Sequence, residues 1–144
     1  MKLLFGSQVR SGGRRIGYLA GAEIDASSRR VTKIIFSGDG KLGSHAQTRS
    51  IDAVRVDGSH IIMGDAAPTT ATAEPLLWSS AIRFVRDGRD AGHLAGVVVG
   101  DKGAIESVVG RHHWWSGRAE VPASAIDLSR PGEVRAGKAA SQAA

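Results

Sequence analysis

Two stretches of this chain, Gly13–Gly21 (GRRIGYLAG) and Gly88–Gly96 (GRDAGHLAG), are nearly the same sequence. Six of their nine positions are identical at an offset of 75 residues. After a one-residue deletion the apolar positions continue in the same order, with Val31, Ile34 and Ile35 falling on Ile105, Val108 and Val109. Self-similarity at a fixed period is the signature of a repeated structural unit. The sequence therefore predicts that one unit occurs twice.

Each copy has the pattern of short strands joined by tight turns. In the first copy, Tyr18–Ile24 and Val31–Phe36 are apolar runs separated by polar residues, and together they predict a hairpin. Asp57-Gly58 between two further apolar runs predicts a second hairpin. The second copy repeats the first hairpin with His93–Val99 and Ala104–Val109. The chain is therefore expected to be all-β, with little or no helix.

The pattern divides the chain into two units, a linker and a tail. We expect the first unit at 1–66, a Thr- and Pro-containing linker at 67–76 and the second unit at 77–130. A helical turn is possible within 72–80, although Pro75 restricts it to a helix start. Residues 131–144 have few side chains to bury and are expected to be a disordered tail.

The size of the units favours close packing between them. Each copy has about 60 residues, near the lower limit for a free-standing core. Val97-Val98-Val99 also places apolar groups on both faces of one strand, because strand side chains alternate. We therefore expect the two units to pack together, with Trp78 in the seam, and a homodimer is a further expectation.

Composition excludes several classes of protein. The chain has 144 residues, no cysteine and a net charge of +5, so a disulfide framework and a cysteine metal cluster are ruled out. No apolar run approaches the roughly 20 residues of a membrane span or the roughly 7–15 of a signal peptide. We expect a cytoplasmic protein without membrane insertion, whose basic balance permits an acidic partner.

The repeat resembles the PRC-barrel superfamily, the small β-barrel shared by the photosynthetic reaction-centre H subunit and a ribosome maturation factor. The matching positions are turn glycines and apolar strand residues over most of residues 1–130: Gly13, Gly17, Ile24, Asp25, Val31, Ile34, Ile35 and Val54, then Gly88, Gly92, Val99, Ile105, Val108, Pro122 and Ile126. The second copy departs from the first by having Gly100 in place of Asp25. The resemblance implies two tandem barrels that serve as protein-interaction modules, with no common catalytic constellation.

One hairpin of the second copy concentrates aromatic and basic residues. Aromatic residues form only 5% of the chain, yet two tryptophans are adjacent here. An exposed tryptophan is a typical interface anchor, although one that covers the sister unit is an equally open interpretation. The candidate partner-binding residues are Arg111, His113, Trp114, Trp115 and Arg118.

Basic pairs in the first copy suggest an alternative function. Arg14, Arg15, Arg29 and Arg30 form a candidate basic surface for RNA or a ribosome, because arginines contact phosphates. The alternative is a solvated arginine-rich surface without a partner.

The motifs of enzymes and cofactor sites are missing from this sequence. The turn glycines precede strands, whereas a phosphate-binding loop needs a following helix. Adjacent histidines on a strand, such as His112 and His113, point to opposite faces and cannot easily share one metal ion. We therefore expect no catalytic residues, no metal and no cofactor.

Overall fold

The computed structural model describes residues 1–43, 45–65, 72–112 and 117–137. Across these ranges the chain is all-β, as the strand and turn pattern predicts. The strands are β1 Lys2–Leu4, β2 Gln8–Ser11, β3 Arg14–Asp25, β4 Arg30–Ser37, β5 Gln47–Ser50, β6 Val54–Asp57, β7 His60–Met63, β8 Pro75–Ser79, β9 Arg83–Arg86, β10 Arg89–Val99, β11 Ile105–Arg111, β12 Arg118–Pro122, β13 Ile126–Asp127 and β14 Glu133–Ala136. The helical segments of these ranges are short 3₁₀ helices, Ile51–Ala53, Asp101–Gly103 and Ala123–Ala125.

The strands form two seven-stranded sheets, which we call sheet A and sheet B. Sheet A has the order β12-β11-β10-β9-β14-β13, with β1 paired to β10. Sheet B has the order β5-β4-β3-β2-β7-β6, with β8 paired to β3. The β2–β7 and β9–β14 pairs are parallel and the other named pairs are antiparallel. No closed barrel forms among the described residues.

The two sheets have equivalent pairings, residue by residue. Tyr18 lies opposite Ser37 in sheet B, and His93 lies opposite Arg111 in sheet A. The offset is 75 residues on the first strand of each pair and 74 on the second. The register shifts between these strands also fall at equivalent positions. The two sheets are therefore built on one plan.

The short strands β1 and β8 lie in opposite sheets from the rest of their own copies. Leu3 of β1 pairs with Val97 in sheet A, and Trp78 of β8 pairs with Ala22 in sheet B. These two pairs are equivalent, because the repeat offset of 75 residues relates Leu3 to Trp78 and Ala22 to Val97. The expected division at 1–66 and 77–130 therefore does not describe the sheets, because each copy contributes one strand to the other.

The segment expected to hold a helical turn, within 72–80, contains β8 instead. Pro75 sits at the first position of this strand, where a proline is tolerated because strand pairing there needs no backbone donor. Trp78 is buried, only 3% exposed. Pairing with β3 therefore outweighs the weak helix-start signal of Pro75. Strand β8 also begins inside the segment 67–76 that the sequence predicts to be a linker.

Part of the expected disordered tail is ordered. Glu133–Ala136 forms β14, which pairs in parallel with β9 and antiparallel with β13. Val134 and Ala136 are buried on alternate positions of this strand. Two apolar side chains suffice to hold this strand in place because β9 and β13 pair with its backbone N–H and C=O groups. The remainder of the expected tail, 138–144, lies outside the described residues.

The core is one continuous cluster that draws on both sheets. Its largest fully buried side chains are Phe36, Phe84, Leu3, Leu19, Ile24, Ile34, Ile61, Leu94, Val9, Val31, Val97 and Val99. Burial of this kind contributes about 25 cal/mol per Å² of apolar surface. Sheets A and B therefore share their main source of stability.

Candidate functional site

A row of polar side chains crosses five neighbouring strands of sheet A. Glu133 on β14 lies opposite Arg83, and Arg83 lies opposite His93. His93 in turn lies opposite Arg111, and Arg111 lies opposite Arg118 on β12. Directly opposed residues of adjacent strands share one face of a sheet. We call the four basic members Arg83, His93, Arg111 and Arg118 the sheet A row.

The sheet A row lies on the outer face. Strand side chains alternate between the two faces, and the next positions along β9, β10 and β14 point into the core. Those inner residues are almost completely buried: Phe84, Leu94 and Val134. The row therefore lies on the face that the core cluster does not use, with Arg83 and Arg118 exposed and His93 and Arg111 half-buried.

Charge within the sheet A row is only partly compensated. Arg83 approaches Asp90 at 3.8 Å, with both side chains mostly exposed. Glu133 is engaged by Arg135, whose Nε donates a hydrogen bond at 2.7 Å, and this bond lowers the pKa of the Glu133 carboxyl. Arg111 and Arg118 have no carboxylate within salt-bridge distance among the described residues. The Nε of Arg111 is also buried without a hydrogen-bond partner in that part of the chain.

The predicted partner-binding residues are thus only partly located. Arg111 and Arg118 come together as direct cross-strand neighbours. His113, Trp114 and Trp115 lie outside the described residues. Sequence reasoning missed Arg83 and His93, since each lies on a different strand and only the strand register places His93 beside Arg111 and Arg83 beside His93.

The four residues of the predicted basic surface separate into two groups. Arg29 donates hydrogen bonds to the backbone carbonyls of Ala123 and Ile126, which belong to the second copy. Arg30 donates one to the carbonyl of Lys102 at 3.1 Å. Both guanidinium groups therefore connect the two halves of the chain. Arg14 and Arg15 lie elsewhere, at the exposed start of β3.

Arg15 belongs to a basic row on sheet B. Arg55 lies opposite Ile62, Ile62 pairs with Arg10, and Arg10 lies opposite Arg15. These four residues therefore share a face across β6, β7, β2 and β3. The intervening positions Val9 and Ile61 are buried, so the row faces outward. We call Arg10, Arg15, Arg55 and the neighbouring Tyr18 the sheet B face.

Arg15 and Tyr18 form a defined pair on this face. The Nη1 of Arg15 donates a hydrogen bond to the Tyr18 hydroxyl at 2.8 Å. The guanidinium carbon lies 5.4 Å from the centre of the tyrosine ring, within the range of a cation–π contact. A flat cation and an aromatic ring are therefore held side by side at the surface.

A cleft of about 310 Å³ opens where the two halves of the chain meet. Its polar lining includes Asp25, Arg30, Asp52 and Lys102. Asp25 already accepts hydrogen bonds from the turn that follows it, and Arg30 bonds to a carbonyl. Two of these four charged side chains are thus already engaged within the protein, which argues against a ligand site that would use them.

Among the described residues, no group of three or more His, Asp or Glu side chains could hold a metal ion. The same part of the chain contains no helix with the length and apolar character needed to cross a bilayer. Neither observation points to a particular chemistry.

The family resemblance rests on glycines and apolar positions, which specify turns and strands but no side-chain chemistry. What the chain binds must therefore be inferred from its own surfaces. No protein-family model matches the chain, and no curated protein sequence matches it.

Proposed function

We propose that this protein is a non-enzymatic, cytoplasmic interaction module that binds an acidic segment of a partner protein at the sheet A row. We further propose that the two units are PRC-type barrels derived by duplication. The equivalent registers of sheets A and B support that second proposal, since they keep one strand order through both copies.

The arrangement of Arg111 and Arg118 carries the functional proposal. Cross-strand neighbours have Cβ atoms about 4.5–5.5 Å apart, and like charges directly opposite each other destabilise a sheet. The fold does not require this pair, because the equivalent residue to Arg111 in sheet B is Ser37. A bound carboxylate would relieve the repulsion and supply an acceptor for the guanidinium groups.

Trp114 and Trp115, which follow Arg111 closely in sequence, would provide the apolar part of the contact. An interface usually combines a few aromatic anchors with a charged rim, and tryptophan and arginine are enriched among the anchors. The adjacent Trp114 and Trp115 come three and four residues after Arg111, the last residue of β11. The homodimer remains a proposal that rests on the tryptophans alone, because two copies of the basic row would repel each other.

The charge prediction is tested with a fluorescently labelled poly-glutamate peptide and the full-length protein. Arg111→Gln with Arg118→Gln is expected to weaken binding about tenfold or more, because two charge-assisted contacts are lost. The matched control is Arg86→Gln with Arg89→Gln, since these exposed arginines are also direct cross-strand neighbours but lie outside the row, at the β9–β10 turn. Equal affinity of the two double variants for the peptide would contradict the proposal. If a protein with Arg111→Gln fails to fold, the single variant Arg118→Gln replaces the double variant in this comparison.

The tryptophan prediction needs a separate experiment. Trp114→Ala and Trp115→Ala are compared with the unchanged protein in sedimentation and in partner pull-down. At least one variant should lose self-association or partner capture while keeping its circular dichroism spectrum. Unchanged behaviour of both folded variants would show that neither tryptophan is an anchor.

A further inference from the structure

We propose a second binding surface on this protein: the sheet B face, formed by Arg10, Arg15, Arg55 and Tyr18, binds single-stranded nucleic acid. This surface is independent of the sheet A row, because it lies on the other sheet and shares no residue with it.

The first argument is uncompensated charge. Among the described residues, none of Arg10, Arg15 and Arg55 lies within salt-bridge distance of a carboxylate. Arg10 donates to the carbonyl of Gly13, and Arg15 donates to a tyrosine hydroxyl, so both guanidinium groups keep their full charge. The exposed Arg14 adds a further cation at the start of the same strand.

The second argument comes from the equivalent positions in sheet A. The row Arg55, Ile62, Arg10 and Arg15 corresponds there to a row of mixed charge: Asp127, Arg135, Val85 and Asp90. The sheet A version therefore carries two carboxylates and one arginine, whereas the sheet B version carries three arginines. The same backbone accepts either pattern, so the fold itself does not demand three cations. Their concentration on sheet B favours a polyanionic partner.

The third argument is the aromatic ring within this charge. The next row on the same face contains Tyr18 opposite Gln8 on β2, and Asp57 opposite His60 on β6 and β7. Tyr18 is half-buried with the Arg15 guanidinium over its ring, and this flat pair offers a surface on which a base can stack. Base stacking on Tyr18 would add to the phosphate contacts of the arginines, which favours nucleic acid over a poly-acidic peptide that carries no bases.

The shape of the surface indicates a single strand. Four adjacent strands span about 14 Å at the usual strand spacing. A face about 14 Å across is wider than the roughly 12 Å of a duplex major groove, which admits only a helix or a two-stranded ribbon, whereas it can hold splayed bases and their phosphates. A strand of several nucleotides fits this span, as in other sheet-based single-strand binders.

The test measures binding of fluorescein-labelled ten-nucleotide RNA and DNA of mixed sequence to the full-length protein as salt is varied. We expect a plot of log binding constant against log salt concentration to have a slope of about −3, which corresponds to the neutralisation of about four phosphates. The triple variant Arg10→Gln, Arg15→Gln, Arg55→Gln should flatten this slope by about 2 and weaken binding about tenfold or more. The two oligonucleotides distinguish RNA from DNA as the preferred strand.

Tyrosine and charge controls separate this surface from a general charge effect. Tyr18→Leu should weaken binding about fivefold or more, because base stacking is lost while the aliphatic contacts of the side chain remain. The charge-matched variant Arg86→Gln, Arg89→Gln, Arg130→Gln removes three exposed arginines outside the face and should retain most of the affinity.

Three results would overturn the inference. The first is failure of both oligonucleotides to bind at low salt. The second is equal loss of affinity in the two triple variants, which would show that only net charge matters. The third is displacement of the oligonucleotide by poly-glutamate at equal charge with no effect of Tyr18→Leu, which would assign the face to an acidic protein.

Discussion

Arg30 and Ala104 occupy equivalent positions in the two sheets, and they pair with each other in an isolated antiparallel bridge. Their equivalence follows from the adjacent pairs, since Val31 and Ile105 hold matching places in β4 and β11. A bridge between a residue and its own counterpart is what a local two-fold axis produces. The chain thus resembles a symmetric dimer whose two subunits have been joined.

Arg29, next to this bridge, is expected to stabilise the junction between the two halves. Its guanidinium group donates to the carbonyls of Ala123 and Ile126, in and just after the third 3₁₀ helix. Arg29→Ala removes both charge-assisted bonds and should lower the free energy of unfolding by about 1.5–3 kcal/mol. Chemical denaturation measures the change. Arg14→Ala, which removes an exposed arginine of the same sheet, should stay within about 0.5 kcal/mol, and an equal loss in both variants would refute this role.

The exchanged strands predict that neither half folds alone. Residues 77–144 lack β1, which covers β10 with the fully buried Leu3. This fragment should give the circular dichroism spectrum of an unfolded chain, with no cooperative thermal transition. In the full-length protein, Leu3→Ala should cost about 2–5 kcal/mol in a single transition, because both sheets share one core. Cooperative folding of the isolated fragment would contradict the prediction.

Much of the strand framework could be predicted from sequence, because turn glycines and apolar runs are local signals. Gly13–Gly21 and Gly88–Gly96 lead directly into the central strands of the two sheets. The exchange of β1 and β8 could not be predicted, since an apolar residue such as Leu3 signals burial but not the strand that buries it. The parallel partner of β14 is equally non-local.

The candidate surfaces show the same contrast between features with a local sequence signal and features that depend on non-local pairing. Arg111 and Arg118 are close in sequence and belong to the same predicted aromatic and basic surface, but their direct pairing appears only in the register of β11 with β12. Arg83 and His93 join them only through the register of β9 with β10, which no local pattern specifies. Arg29 and Arg30 look like solvated surface in the sequence, whereas their bonds to distant carbonyls appear only once the two halves meet.

Asp25 should make the stability of this protein depend on pH in acid. Burial raises the pKa of its carboxyl, but hydrogen bonds from the Glu74 amide, Ser28 and Ser27 outweigh this and lower the pKa to about 2. A carboxyl whose folded pKa lies below its unfolded value of 3.8 stabilises the protein above that pH. This stabilisation is lost as the pH falls from 3.8 toward about 2.

Asp25→Asn isolates the contribution of this carboxylate. The variant should be less stable than the unchanged protein at neutral pH, and the difference should shrink between pH 3.8 and about 2. Urea denaturation at a series of pH values measures it. Asp57→Asn, an exposed carboxylate on β6, is the matched control. A difference that stays constant through this acid range would show that the carboxylate charge is not what stabilises the turn.

Gly88, in the β9–β10 turn, and Gly92, within β10, allow a comparison of how much an added side chain lowers the stability of the fold. Both have positive φ, +105° at Gly92 and +78° at Gly88. A Cβ at Gly92 would lie 2.2 Å from the carbonyl oxygen of Arg111, while a Cβ at Gly88 would meet no atom within 4 Å. Gly88→Ala should therefore cost only backbone strain, about 1–2 kcal/mol. Gly92→Ala should cost clearly more, because the β10–β11 pair must separate.

The two substitutions are compared by thermal and urea unfolding of the full-length protein. Because Gly92 approaches the backbone at Arg111, its substitution should also disturb the sheet A row and weaken poly-glutamate binding, whereas Gly88→Ala should leave that binding unchanged. Equal destabilisation by the two substitutions would mean that β11 shifts freely to make room. The close approach at Gly92 would then not be what holds Arg111 opposite His93.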